Sequence, residues 1–371
     1  MLQELQVIAL LDTINTIRKV ALGRTPEKEL LGLDMGTDSV KIVQLARRDG
    51  NLSIKRLLSE SRPDSEREIT ENEAIKRIVN RSGIKTGNTI TTIPSRDINE
   101  KFIMMHLSAA EKMEDILRWE VKKHINYPLQ EAVYDYHLDP GGESDELSVH
   151  LAITKRELIE NKVRSLGEAG FTLSVIETES RAIRRAVSAN EKVEGIISGV
   201  VNLGSSSSTF VVMDNGELKF CRDMDVIGED IDRTISKMLH IDMEASEVAK
   251  REIGLDRMVM DGQESEPTSV KYNVYSAIES QIDRLIAEIN QSMHFYGIQS
   301  ETDSRLDRLY VTGGNARIPN LIPFMRGKMD TEIKIFDPAD YFEKMDGNGG
   351  EARDSLVQFT VAIGLAMRGM E

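Results

Sequence analysis

The sequence predicts a mixed α/β protein of two related lobes, and three observations carry the prediction. Strand-like and helix-like patterns alternate along the chain, and 371 residues exceed the usual single core. Two strand patterns each run into a polar glycine turn, Asp34-Met35-Gly36-Thr37-Asp38-Ser39-Val40-Lys41 and Asn202-Leu203-Gly204-Ser205-Ser206-Ser207-Ser208-Thr209. A third glycine segment, Val311-Thr312-Gly313-Gly314-Asn315, follows a later strand. Two such halves can clamp a polyphosphate from opposite sides while the third segment meets a base, so the three segments together outline a nucleotide site.

Composition narrows the partners. A formal charge of −15, from 47 basic and 62 acidic residues, argues against a nucleic-acid surface, whose phosphates demand a basic patch. Basic partners or plain solubility suit such a charge. Cys221 is the one cysteine, which excludes a disulfide framework within the chain and fits a reducing compartment, though many exported bacterial proteins are as poor in cysteine. The six histidines are scattered and offer no zinc cluster.

Residues 1–22 are rich in leucine and isoleucine, but Glu4, Asp12, Arg18 and Lys19 interrupt them. Neither a signal peptide nor a membrane span is expected. Val7, Leu10, Ile14, Ile17 and Ala21 recur at helical spacing, which suits an amphipathic helix packed on this protein or a partner. A disordered extension and a membrane-surface helix are the alternatives, and the latter calls for a basic polar face.

Residues 30–34, 40–47 and 51–60 read as successive strands. A helix then opens at the capping box Thr70-x-x-Glu73, with Ala74, Ile75, Ile78 and Val79 on its buried face. Next comes an inserted βαββα-like block: strands at 89–93 and 102–107, a helix from the capping box Ser108-x-x-Glu111, strands at 133–138 and 148–154, and a helix to Ala169. Strands at 200–203, 209–214 and 217–222 open the second half, and the last two are joined by Asn215-Gly216, a type I′ hairpin signal. Helices follow near 229–239 and 244–252, then an exposed linker at 256–268. Val274, Ile278, Leu285, Ile289 and Tyr296 mark a long helix packed within its domain, and 355–367 suits a terminal helix buried between others, with Gly364 permitting close approach.

The first glycine segment carries the sharpest chemistry. Gly36 permits positive φ and clears space for a phosphate, while backbone N–H groups and the hydroxyls of Thr37 and Ser39 donate to its oxygens. Lys41 alternates onto the side of Ser39 and brings an ammonium. Asp34 suits Mg²⁺ held through water, because magnesium sheds its hydration shell reluctantly. The segment is not a Walker A loop, since its spacing differs and a strand follows where a helix should begin. Taken alone, Asp-x-Gly-Thr also makes an ordinary turn, and 205–208 also reads as a flexible loop. Trp119 and Tyr127 are expected to be core or subdomain contacts rather than a ligand-stacking pair. No Ser/His/Asp order with supporting local motifs is present.

Several stretches carry a family likeness: Leu31-Gly32-Leu33-Asp34-Met35-Gly36 with Val40-Lys41, Arg118-Trp119-Glu120, Tyr127-Pro128-Leu129 and Asp135-Tyr136. It continues in Glu168-Ala169-Gly170-Phe171, Glu177 with 182–186, 309–315, Asp337-Pro338 and 361–369. On these the sequence resembles the actin-like ATPase superfamily, and more closely the PilM family of type IV pilus assembly proteins, related to the division protein FtsA. The resemblance implies an actin-like (ribonuclease H-like duplicated) two-lobed fold with an FtsA-type inserted 1C subdomain. It divides the chain into an N-terminal amphipathic extension (1–29), a first lobe or 1A (30–87 and 171–194, with return of the C-terminal helix 355–371), the inserted unit (88–170) and a second lobe, 2A and 2B (195–354).

The resemblance further implies ATP and Mg²⁺ in the cleft, held by Asp34, Gly36, Thr37, Ser39, Lys41, Asn202, Gly204, Ser205, Thr209, Gly313, Gly314 and Asn315, with Asp34 the metal residue. The implied role is a cytoplasmic scaffold, peripheral to the inner membrane, that binds the N-terminal cytoplasmic segment of a PilN-like single-span protein and connects to assembly motors, in a pilus or a related secretion or competence machine. Two departures weigh against turnover. Asn202 stands where ATP-hydrolysing relatives carry aspartate, and Gly228-Glu229 replaces a glycine pair, so ATPase activity is expected to be slow or absent. A metabolite kinase of the same superfamily and an FtsA-like filament former are the alternatives.

Overall fold

Tight turns between neighbouring strands enforce antiparallel pairing, and helical crossovers bring later strands in parallel. The structure, a computed structural model, describes residues 30–36, 38–48, 51–61, 71–84, 87–106, 108, 112–140, 146–256, 269–300, 305–342 and 353–369. The expectations for 1–29, for Thr37 and Thr70 and for most of the linker at 256–268 lie outside the described residues.

The first lobe is built on β1 (Leu30–Met35), β2 (Ser39–Arg48), β3 (Asn51–Ser61), β4 (Asn88–Thr92) and β8 (Thr172–Glu177), in the order β3-β2-β1-β4-β8. The first three pair antiparallel, and β4 lies parallel to β1 and β8. The second lobe repeats the order with β9 (Ile197–Leu203), β10 (Ser208–Asp214), β11 (Glu217–Met224), β12 (Arg308–Thr312) and β13 (Glu332–Ile335), arranged β11-β10-β9-β12-β13. Its pairing pattern is the same. The Asn215-Gly216 turn has φ of 52° and 76°, as a type I′ hairpin requires.

Sheet pairing corrects one expectation. The strand read at 89–93 as part of the inserted block is β4, wedged between β1 and β8 in the first-lobe sheet. The inserted sheet has β5 (Ile98–His106), β6 (Ala132–Pro140) and β7 (Glu146–Lys155), in the antiparallel order β5-β7-β6.

Among the helices, α1 (Glu71–Ser82) buries Ala74, Ile75 and Ile78 as its period predicts. Helix α2 (Met113–His124) lays Met113, Leu117 and Val121 on the inserted sheet. Of the expected capping box, Glu111 lies outside the described residues; Lys112 precedes α2 without a side-chain cap bond, and Ser108 Oγ meets His106 Nδ1 at 2.8 Å. Of the core or subdomain contact expected of Trp119, only a contact within the subdomain is found. Trp119 is 58% exposed, with Lys123 Nζ 3.2 Å from its ring centroid, whereas Tyr127 packs against the inserted core. Helix α3 (Arg156–Glu168) closes the insertion, yet its Leu166 joins the first-lobe core with Leu31, Leu33 and Phe171.

Helix α4 (Glu179–Asn190) returns to the first lobe. In the second lobe, α5 (Gly228–Leu239) and α6 (Met243–Ile253) are tied by a buried Lys250–Asp232 pair at 2.7 Å. The long α7 (Val270–Ser300) buries Val274, Ile278, Leu285, Ile289 and Tyr296 in the second-lobe core, as expected. A short α8 (Leu321–Arg326) precedes β13.

The closing segment is a 3-10 stretch followed by α9 (Thr360–Arg368), every residue of which is buried up to Met367. Helix α9 slides between β1 and α4 at backbone contact. A Cβ on Gly32 would lie 1.9 Å from Ala362 O, and one on Gly364 would lie 1.9 Å from Ala182 O. Arg185 fixes the stack, chelating Glu177 at 2.6 and 2.8 Å and donating to Gly364 O at 3.0 Å. Val361 and Leu365 then join a core shared with Val200, Val211 and Tyr310 of the second lobe.

Gly32→Ala should therefore destabilise the protein by about 3 kcal/mol or more, because backbone on both sides would have to part. Gly87→Ala, with nothing within 4 Å of the new methyl, should change stability by less than about 0.5 kcal/mol. Urea unfolding followed by circular dichroism compares the two.

Candidate functional site

The two expected turns are related residue by residue. Asp34 and Asn202 each stand two positions before a turn glycine, and Lys41 and Thr209 each stand five after one. Register confirms the relation: Asp34 faces Lys41 across β1 and β2, and Asn202 faces Thr209 across β9 and β10.

Around the first turn, Lys41 Nζ lies 3.7 Å from Asp34 Oδ2, with 13% and 17% of the two side chains exposed. A Cβ on Gly36 would sit 3.1 Å from Ser39 O and 3.7 Å from Lys41 Nζ, so the missing side chain keeps the lysine reachable. Ser39 begins β2 on the same face as Lys41. Thr37 lies outside the described residues.

Around the second turn, a Cβ on Gly204 would meet Ser207 O at 2.3 Å, which makes glycine a steric necessity there. Gly204 O accepts from Gly228 N and from Asn315 Nδ2, each at 3.0 Å. Gly313, at φ 92°, passes so close that a Cβ would stand 2.6 Å from both Asn202 Oδ1 and Leu203 O. The second and third glycine segments thus form one packed unit with Asn202, Gly204, Gly313 and Asn315 in mutual contact. Gly314 has open space around it and stands beside this unit.

Glu229 makes local contacts. Its N–H donates to Ser205 O at 2.9 Å, and its carboxylate lies 3.7 Å from Arg233 on its own helix. A Cβ on Gly228 would meet Asn315 Nδ2 at 2.1 Å, so that side chain would have to shift and give up its bond to Gly204 O.

Sequence reading missed Glu179. This first residue of α4 is buried and accepts from Asn202 Nδ2 at 2.6 Å. Thr178, which caps the helix by accepting from Arg181 N, sets its direction. Burial pushes the Glu179 carboxyl up to about 7, and the negative charge of Asp34 adds to the push, while hydrogen bonds from Asn202 and Thr209 oppose it. The charge of Asp34 on β1 is thus close enough to bear on Glu179 at the start of α4. The signal available in sequence was an acid directly after a cap residue and before the buried run 182–187.

A nucleotide fits this cradle. Bare glycine turns, a lysine held near them and hydroxyl-bearing flanks are the donor set a polyphosphate needs. Asp34 is the carboxylate suited to hold Mg²⁺ through water, and no cluster of three metal-ligating side chains occurs among the described residues.

A family profile for the type IV pilus assembly protein PilM matches residues 32–370. The chain belongs to that family. Among solved structures, the PilM-PilN type IV pilus biogenesis complex is similar with a TM-score of 0.77 and 22% identity, over 93% of this chain and 100% of that one. The ethanolamine utilization protein EutJ from Carboxydothermus hydrogenoformans follows with a TM-score of 0.52 and 12% identity, over 93% and 90% of the two chains. Cell division protein FtsA of Bacillus subtilis is 21% identical over 205 residues, which span 52% of this chain and 45% of that protein. The expected actin-like class of this PilM-family chain stands: two lobes of identical strand order with an inserted unit between β4 and β8. No helix among the described residues is long and apolar enough to cross a membrane.

The Glu179 proton has a measurable consequence. The folded protein keeps it up to about pH 7, whereas the unfolded chain releases it near its ordinary 4.5, so stability is intact below pH 4.5 and falls as pH rises through 7. Glu179→Gln, still able to accept from Asn202, should match wild type at pH 4.5. At pH 8 it should be more stable by about 3 kcal/mol in urea unfolding.

Proposed function

We propose that this PilM-family chain is an ATP-binding scaffold on the cytoplasmic face of the inner membrane, which recruits the N-terminal segment of a PilN-like single-span protein and hydrolyses ATP slowly or not at all. The observation that carries the nucleotide reading is the pair of matched glycine hairpins, with Lys41 beside one and the packed Asn202, Gly204, Gly313 and Asn315 unit at the other. Lys41, Ser39 and the first-turn N–H groups bind phosphate oxygens, and Asp34 holds Mg²⁺ through water. Gly204, Ser205 and Thr209 line the opposite turn, with Gly313, Gly314 and Asn315 on the base side. Bound Mg²⁺ would supply neutralisation of the phosphate charge.

Slow turnover is supported by Asn202, an amide where hydrolysing relatives place a carboxylate. The acid beside that amide, Glu179, is buried and already accepts from it at 2.6 Å, so it is not free to orient a water. Occupancy then sets lobe closure, through the better affinity of ATP for one conformation.

Partner binding is supported by family membership and by the inserted unit. Its α2 and the segment after it line a groove of about 920 Å³ with Arg118, Trp119, Lys122, Ile125, Tyr127 and Leu129. A short segment, disordered when free, docks there by inserting apolar side chains, with modest affinity that assembly strengthens.

Three outcomes are expected. Lys41→Ala weakens ATP·Mg²⁺ in calorimetry by about tenfold or more, while exposed Lys76→Ala leaves it unchanged; equal affinities remove Lys41 from the site. Phosphate release by wild type is slower than about 0.1 per second, and release at ordinary kinase rates of roughly 1 to 100 per second defeats the slow-turnover reading. Trp119→Glu, at an exposed position, weakens binding of the partner's N-terminal peptide by about tenfold or more in fluorescence anisotropy, and unaltered binding moves the receptor elsewhere.

A further inference from the structure

The inserted unit is rooted in the second phosphate turn. It leaves the first-lobe sheet after β4 through a 3-10 turn, Ser95–Asp97, and both ends of its excursion touch the other lobe. At departure, Thr209 Oγ1 donates to Ser95 Oγ at 3.1 Å and Arg96 donates to Ser206 O at 3.5 Å. At return, Glu179 accepts from Asn202, and the next residue reaches in the opposite direction: Ser180 Oγ donates to Glu100 Oε2 on β5 at 2.5 Å. The same oxygen lies 2.7 Å from His150 Nε2 on β7, and the His150 ring stacks on Phe102 with centroids 4.6 Å apart. Thr178 Oγ1 stands 2.9 Å from Ser180 Oγ.

Consecutive residues on one helix turn therefore grip two different bodies. Glu179 holds the phosphate turn of the second lobe and Ser180 holds the inserted sheet. Only 6% of the Glu100 side chain is exposed, and its bonds to His150, Ser180 and Thr178 keep its carboxyl below the usual range despite burial. An ion so enclosed cannot part from its donors without large cost, so β5 and the first turn of α4 move together. A ligand that displaces Asn202 or Glu179 also displaces Ser180, and Glu100 carries the displacement into the insertion.

We infer that the Glu179-Ser180 turn, backed by Arg96, couples nucleotide occupancy of the cleft to the orientation of the inserted unit. By linkage, a peptide held by that unit changes nucleotide affinity by the same factor that nucleotide changes peptide affinity. The inference rests on the proposed ATP site and names its regulation.

The test is amide hydrogen exchange of the full chain with and without ATP·Mg²⁺, alongside calorimetry of the same samples. In wild type, ATP should slow exchange in β5 and β7 by about fivefold or more. Ser180→Ala, and separately the exposed Arg96→Ala, should bind ATP within about twofold of wild type yet lose most of that protection. Bound ATP with unchanged exchange in the insertion overturns the inference, as does full protection in both variants. No calorimetric binding to wild type overturns the nucleotide reading itself, and the inference with it. Arg96 lies on the surface, so its variant remains informative where Ser180→Ala fails to fold.

Discussion

Helix α9 lies at backbone contact with β1 on one side and α4 on the other, and this stack decides where the cleft residues stand. Gly32 and Gly364 remove the two side chains that would hold the layers apart, and the Arg185–Glu177 chelate closes one end. β1 carries Asp34 and leads into Gly36, while α4 carries Glu179, so both approaches to the site start from elements packed on α9. Val361 and Leu365 extend the contact into the core shared with the second lobe. Rigid packing of this kind transmits displacement instead of absorbing it.

Within that frame, the site differs from a plain pair of matched turns because an amide and an acid have been placed together. Asn202 donates to Glu179, so the second turn spends its side chain on the floor of the cleft. An aspartate at 202 would set two carboxyl groups at hydrogen-bond distance, and one would have to keep a proton. The amide removes that conflict.

Much of the fold was legible because its signals are local. Asn215-Gly216 announces positive φ at two consecutive residues, and the apolar positions of α7 announce a buried face regardless of what covers it. The glycine turns were legible for the same reason: Gly204 and Gly313 are demanded by nearby atoms, whereas Gly36, without the positive φ expected of it, is only closely approached by Ser39 O. What failed was pairing at a distance. Thr89, Ile90, Thr91 and Thr92 form an almost completely buried strand that reads alike in any sheet, and only hydrogen bonds to β1 and β8 assign it to the first lobe. Ser108 has the chemistry of a cap but finds His106 first. Trp119 looks like core until Lys123 is seen covering its outer face. Glu179 was invisible because its meaning comes from Asn202, 23 residues later, and from burial that no local pattern records.

The charge of the cleft bears on what can enter it. The charge of Asp34 bears on Glu179, and Lys41 Nζ lies 3.7 Å from Asp34. With both carboxyls ionised, a bare polyphosphate would meet a net negative floor in a region of low dielectric, where like charges repel strongly. Two features lower that barrier: Glu179 keeps its proton to about pH 7, and a divalent cation arriving with the phosphates would answer Asp34. In the proposed site, a metal-bound polyphosphate would suit this charge balance better than a free one. Because a ligand shifts a conformational equilibrium only by its difference in affinity between the two states, the metal that settles this charge balance would also set how firmly the lobes close.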